Sequence, residues 1–238
     1  LFLANFDSPS QLFLNQRMGK FAQGGSFNPL LAKGATAAAE ADFTRDGHPD
    51  LVVAMGTNLL LYTNDGRANF IVAADVRRLI LQSGEESQSV LTAAATSRIL
   101  VLDSNNDGWP DLLLTDGSHL CLLAGTGRCQ FRDVTAATGL DEIAGPIAGF
   151  AAADLDGDGD LDLVVQTRDR GPVVLRNDGG NQRHWLNLRL VGRKVNRSGY
   201  GATIPGGLNN WATNFAFAAG RRAKALQEGS FVWADSTD

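Results

Sequence analysis

Three segments of the chain place carboxylates at one fixed spacing: DFTRDGHPDL at 42–51, DSNNDGWPDL at 103–112 and DLDGDGDLDL at 154–163. Each has Asp at the first, fifth and ninth positions, Gly at the sixth and Leu directly after the ninth. Acidic oxygens this close repel one another unless a hard cation lies between them. Calcium takes roughly six to eight such oxygens at ~2.3–2.6 Å. Side chains at positions one, three, five and nine can converge on one ion, the seventh residue offers its backbone carbonyl, and the glycine permits the sharp turn. The candidate ligands of the third loop are Asp154, Asp156, Asp158 and Asp162, with Asp160 at the seventh position. Those of the second are Asp103, Asn105, Asp107 and Asp111, with Trp109 at the seventh. The first offers Asp42, Thr44, Asp46 and Asp50, with His48 at the seventh. Counting carboxylates predicts the tightest site in the third loop and the weakest in the first.

Other readings of the same residues make different demands. An EF-hand requires a bidentate Glu at the twelfth position and flanking helices. Here that position holds Val53, Leu114 or Val165, inside strand-like apolar runs. Thrombospondin-type calcium repeats are Cys-rich, and this chain has 2 cysteines. Asp/Gly clusters also serve as ordinary turns between strands, but three at one repeat position favour an ion. His48, His119 and His184 stand in separate contexts without a paired nucleophile. Gly199-Tyr200-Gly201 lacks the strand and helix a dinucleotide site needs. The sequence therefore offers no catalytic residues, and calcium is the cofactor it points to.

The loops recur because a longer unit recurs. After Asp50 comes LVVAMGTNLLLYTNDGRANF, after Asp111 LLLTDGSHLCLLAGTGRCQF, and after Asp162 LVVQTRDRGPVVLRNDGG. The opening LFLANFDSPSQLFLNQRMGKF reads as the same unit without its loop. Short apolar runs between polar or Gly-rich turns predict strands, not helices. Further runs, such as Ile99–Leu102 and Phe150–Ala153, precede the loops. The unit is strand, acidic loop, strand, turn, strand, with a fourth strand expected to complete a propeller-type blade. The interval from Asp50 to Asp111 exceeds that from Asp111 to Asp162, which puts an insertion within 71–96. Residues 77–81 there fit a helical turn or a strand equally.

Composition narrows the classes. Eleven of the 26 acidic residues lie in the three loops, and the formal net charge is -5. A nucleic-acid binder should show a basic stripe instead, and Arg221-Arg222-Ala223-Lys224 reads as a solvated surface. No apolar run approaches the ~18 residues that span a membrane. Cys121 and Cys129 flank a Gly-rich turn and allow either one hairpin disulfide or two thiols. Leu1 in place of an initiator Met suggests a mature or clipped chain whose first blade lacks its innermost strand, with self-association or marginal stability expected of such an open array.

Residues 149–163, GFAAADLDGDGDLDL, resemble the calcium-loop unit of FG-GAP/VCBS-type repeats, which are propeller blades, and the resemblance runs over residues 1–183. Residues 184–204, HWLNLRLVGRKVNRSGYGATI, look like the opening of an ASPIC/UnbV domain, matching at His184, Trp185, Leu186, Gly192, Asn196, Arg197, Gly199, Gly201 and Ala202. Asn196-Arg197-Ser198 also fits a glycosylation sequon. That order of repeats and domain is similar to the cartilage acidic protein-like family. After 204 the match fails, and Ala216–Gln227 carries a helical pattern as an alternative to strands. The resemblance implies an all-β protein: a partial β-propeller of about three and a half blades over 1–183, then a small, incomplete β domain over 184–238. It implies a non-enzymatic, calcium-binding adhesion or scaffold module, extracellular, periplasmic or at the cell surface, with a protein or glycan partner. The alternatives are an extracytoplasmic enzyme scaffold and a purely structural array in which calcium is a staple.

Overall fold

The computed structural model describes residues 1–24, 33–77, 96–143 and 145–179, together with four short strands after 210. The chain divides into two compact units, Leu1–Arg183 and His184–Asp238. Among its described residues the first unit is β in its regular elements apart from two 3-10 turns, Ala136–Thr138 and Leu140–Glu142, and a helical stretch at 76–77. It is a row of propeller-like blades.

The opening strands β1 (Phe2–Leu3), β2 (Gln11–Asn15) and β3 (Phe21–Gln23) form a three-stranded antiparallel sheet. Two four-stranded antiparallel sheets follow. One contains β4 (Ala35–Ala41), β5 (Asp50–Met55), β6 (Asn58–Asn64) and β7 (Phe70–Asp75); the other contains β8 (Arg98–Leu102), β9 (Asp111–Thr115), β10 (Leu120–Gly127) and β11 (Gln130–Asp133). A three-stranded sheet completes the row with β12 (Ile147–Ala153), β13 (Asp162–Thr167) and β14 (Gly171–Leu175). In each of these four sheets the strands follow in chain order. Each of the last three sheets thus carries the strand expected ahead of its acidic loop.

The continuous apolar runs have a simple cause: the central strands are buried on both faces. In β5, Val52 and Ala54 pack with Leu59 and Leu61 of β6 against Leu112 and Leu114 of β9 and Leu123 of β10. The alternate residues Leu51 and Val53 turn to the opposite face, with Tyr62, Phe2 and Ala4. In β9 the same division sends Leu113 the other way, into a core shared with Leu163 and Val165 of β13. Consecutive sheets therefore stack face to face around separate apolar layers. Burying a side chain such as Leu112 or Leu113, both at 0% exposure, contributes about 1.5–3 kcal/mol.

Register fixes the loops. Ala41 pairs with Asp50, Leu102 with Asp111 and Ala153 with Asp162. The ninth aspartate is thus the first residue of the second strand, opposite the last residue of the first, and the whole acidic segment is the hairpin connection. Cys121 and Cys129 are free thiols, so the disulfide alternative does not form. Cys121 sits within β10 opposite Leu114, whereas Cys129 occupies the β10–β11 turn at φ 59°.

The second unit holds β15 (Trp211–Ala212), β16 (Phe217–Gly220), β17 (Lys224–Ala225) and β18 (Phe231–Ala234). The pairs β15–β17 and β16–β18 are parallel. This corrects the helical alternative for Ala216–Gln227: both described parts of that segment are strands. Tertiary pairing overrides the high intrinsic helical propensity of an Ala-rich stretch. The insertion residues 78–95 and the segment His184–Ala202 lie outside the described residues.

Candidate metal centre

The three loops share one backbone path. Their fourth residues, Arg45, Asn106 and Gly157, have φ of 59°, 53° and 83°. Their sixth residues, Gly47, Gly108 and Gly159, have φ of 85°, 81° and 94°. Two left-handed residues separated by one ordinary residue coil the loop tightly, and glycine is the residue that takes this conformation at least cost. The first aspartate organises that coil. Asp42 accepts from the backbone N–H of Asp46 (3.1 Å) and Gly47 (2.8 Å). Asp103 accepts from Asp107 (3.1 Å) and Gly108 (2.8 Å). Asp154 accepts from Gly157 (2.7 Å) and Gly159 (3.2 Å).

The ninth aspartate closes the blade. Asp50, Asp111 and Asp162 are essentially inaccessible to solvent. In each, one carboxylate oxygen accepts from the second residue of its own loop: Phe43 at 2.9 Å, Ser104 at 2.9 Å and Leu155 at 3.0 Å. The other accepts from a backbone N–H in the last part of the third strand or just beyond it: Asn64 at 2.9 Å, Gly125 at 2.7 Å and Asn177 at 2.9 Å. Burial raises the pKa of Asp50 and Asp111, opposed only in part by these N–H donors. This second role was not read from the sequence. Its signal is present, since Asn-Asp-Gly recurs at 64–66 and 177–179, with Gly-Thr-Gly at 125–127.

Side-chain convergence differs among the loops. In the third, carboxylate oxygens of Asp154, Asp156 and Asp162 all lie within 4.8 Å of one another. Two ligands on opposite sides of a calcium ion are separated by at most about twice the ~2.3–2.6 Å coordination distance, so this spacing fits one ion. Asp158 is not in that group; its Oδ1 accepts from the N–H of Asp160 at 3.0 Å. Burial is the main cause raising the pKa of Asp156, with the neighbouring Asp158 and Asp162 charges adding to it. Arg176 stands 3.6 Å from Asp156 and 2.5 Å from Asp178. Among the described residues the first and second loops form no such triad. Thr44 and Asn105 replace the third-position carboxylate there, and the Thr44 hydroxyl instead donates to Asp42 at 3.3 Å. Asp46 and Asp107 accept from the N–H of His48 and Trp109, each at 2.8 Å.

Seventh-position side chains point away from the coil. His48 and Trp109 lie over Gly66 and Gly127, where a Cβ would stand 2.5 Å from the imidazole and 2.9 Å from the indole. Asp160, by contrast, is buried. The fourth residues reach the next loop along. Arg45 lies 3.6 Å above the Trp109 ring and donates to the Asp107 carbonyl at 3.2 Å. Asn106 donates to the Asp160 carboxylate at 3.0 Å and the Gly159 carbonyl at 3.2 Å. One loop is thereby tied to the next at an equivalent position.

A family model described as an FG-GAP-like repeat matches residues 103–165. The match runs from the first aspartate of the second loop into β13, so it contains both the second and third loops. No curated protein matches the chain. Among solved structures 13 chains match. One is an Agrocybe aegerita lectin recognising non-reducing terminal N-acetylglucosamine, at TM-score 0.45 and 18% identity, covering 75% of this chain and 45% of that one. Another is the Tc holotoxin pore of Photorhabdus luminescens, at TM-score 0.38 and 17% identity, covering 76% of this chain and 9% of that one. The chain spans less than half the length of either. No helix among the described residues is long and apolar enough to cross a membrane.

Proposed function

We propose that this FG-GAP-like repeat protein is a calcium-binding, non-enzymatic propeller-type module that binds or scaffolds a partner outside the cytosol. The observation that carries the reading is the convergence of Asp154, Asp156 and Asp162 in a loop whose spacing and backbone path occur three times. Asp154 and Asp156 are exposed and Asp162 is buried, so an ion could enter from solvent and be held against the sheet end. When bound, calcium would supply the counter-charge that Arg176, 3.6 Å from Asp156, supplies only in part. The chain's own residues do the rest: the first aspartate holds the coil, the ninth anchors it to the blade, and the third adds charge. Loops with fewer carboxylates suit the high calcium levels of extracytoplasmic compartments, which is the ground for that location. Residues 184–204 fit the opening of an ASPIC/UnbV-type domain following the repeats, and the partner would be a protein or glycan.

Calorimetric titration with calcium tests the reading. The expected result is saturable binding, with the strongest phase lost in Asp156→Ala and magnesium a poor competitor. Magnesium prefers a tighter octahedral site with several retained waters. Absence of calcium binding would overturn the proposal.

A further inference from the structure

A cavity of about 590 Å³ opens between the sheets β8–β11 and β12–β14. This lies within the ~300–1,000 Å³ range of small-molecule sites. Its floor is the shared core: Leu102, Leu122, Leu140 and Leu163 are each under 9% exposed and all face it. Among the described residues no carboxylate and no aromatic ring lines the cavity, so these residues offer neither a partner for a cation nor a stacking platform for a sugar or a base.

The polar groups at its wall are nearly all committed. Ser104 donates its hydroxyl to Asp111 at 2.6 Å. Thr138 donates to the carbonyls of Val134 and Thr135. Asn177 donates to the Ser104 carbonyl at 2.7 Å and accepts from Gly179 at 3.1 Å. Arg176 is paired with Asp178 at 2.5 Å. Two donors stand apart: the amide of Asn105, whose oxygen alone is engaged, accepting from the Asp107 N–H at 2.9 Å, and the exposed Arg132 on β11, whose guanidinium has no hydrogen-bond or ion-pair partner among the described residues. A leucine floor beside one uncommitted guanidinium specifies an aliphatic body with a single negative head group. Guanidinium and carboxylate match in shape as well as charge, because two parallel N–H···O bonds can form.

We propose that this inter-sheet cavity binds a free aliphatic carboxylate, with its chain on the leucine floor and its head group on Arg132. No convergent loop carboxylate lines the cavity among the described residues; Arg176 on its wall stands 3.6 Å from Asp156, but the head-group site on Arg132 does not use that link, so binding does not require calcium. The test uses the full chain in chelator, titrated calorimetrically with decanoate, decanol and N-acetylglucosamine. Saturable one-to-one binding of decanoate is expected, with decanol weaker and the sugar silent. Arg132→Gln, an exposed change, should weaken decanoate about tenfold, the scale of one charge-assisted hydrogen bond, and leave decanol unchanged. Ala137→Trp, on the exposed 3-10 turn lining the cavity, should block both. No decanoate binding, equal binding of acid and alcohol, insensitivity to either substitution, or preference for the sugar would each overturn the proposal.

Discussion

At the residue scale, one amino acid in this repeat has two jobs that can be separated. The buried Asp111 accepts from the partly buried Ser104 N–H and hydroxyl and from the buried Gly125 N–H. Removing it leaves these donors unpaired, at about 1–3 kcal/mol each. Asp156 is exposed and accepts one long backbone bond, at 3.3 Å from Asp158. Asp111→Ala is therefore expected to lower stability by about 3 kcal/mol or more even in chelator, whereas Asp156→Ala in chelator should be near neutral. Urea unfolding of both variants checks this, and equal losses would contradict the division. A second residue-scale test concerns pH. Burial alone would raise the pKa of Asp116, but N–H donors from Ser118 and His119, with the His119 ring, outweigh it and hold the carboxyl below its ordinary value. A depressed folded pKa gives stability that is present above the unfolded value, ~4, and lost as pH falls through the folded one. The stability gap between the wild type and Asp116→Asn should accordingly hold at neutral pH and close in acid. Unfolding curves at a series of pH values measure it. At this scale the convergence of Asp154, Asp156 and Asp162 was legible from spacing, whereas the departure of Asp158 from that group was not. The stapling role of the ninth aspartate was not, because it depends on N–H groups of Asn64, Gly125 and Asn177 that only the hairpin register brings near.

At the element scale, the strands were legible because central positions are buried on both faces and so leave unbroken apolar runs such as Leu112–Leu113–Leu114. The links between loops were not legible. Nothing in Arg45 or Asn106 as single letters shows that a left-handed φ aims the side chain at the next loop. Arg45 over Trp109 gives a direct test. A cation over an aromatic face contributes about 0.5–1 kcal/mol at exposed sites. A double-mutant cycle of Arg45→Ala and Trp109→Ala is expected to return a coupling of about that size, measured by chemical unfolding. A coupling of zero would mean the two loops are neighbours without a link. The second unit was the least legible region: short parallel pairs such as Phe217–Gly220 with Phe231–Ala234 depend on partners distant in sequence and leave little local periodicity.

At the scale of the whole molecule, the acidic loops connect the first and second strands of three successive sheets, with each ninth aspartate held to its own blade. Ion binding at the loops should therefore stabilise the sheets they join, and the most direct measurement is thermal unfolding in chelator against excess calcium. A ligand at about 100 times its Kd stabilises the folded state by about 2.7 kcal/mol, and each 1 kcal/mol moves the Tm of a chain this size by roughly 2–4 °C. The account predicts a saturable upward shift of roughly 5–10 °C, largely lost in Asp156→Ala. Superimposable curves with chelator and with calcium would contradict it.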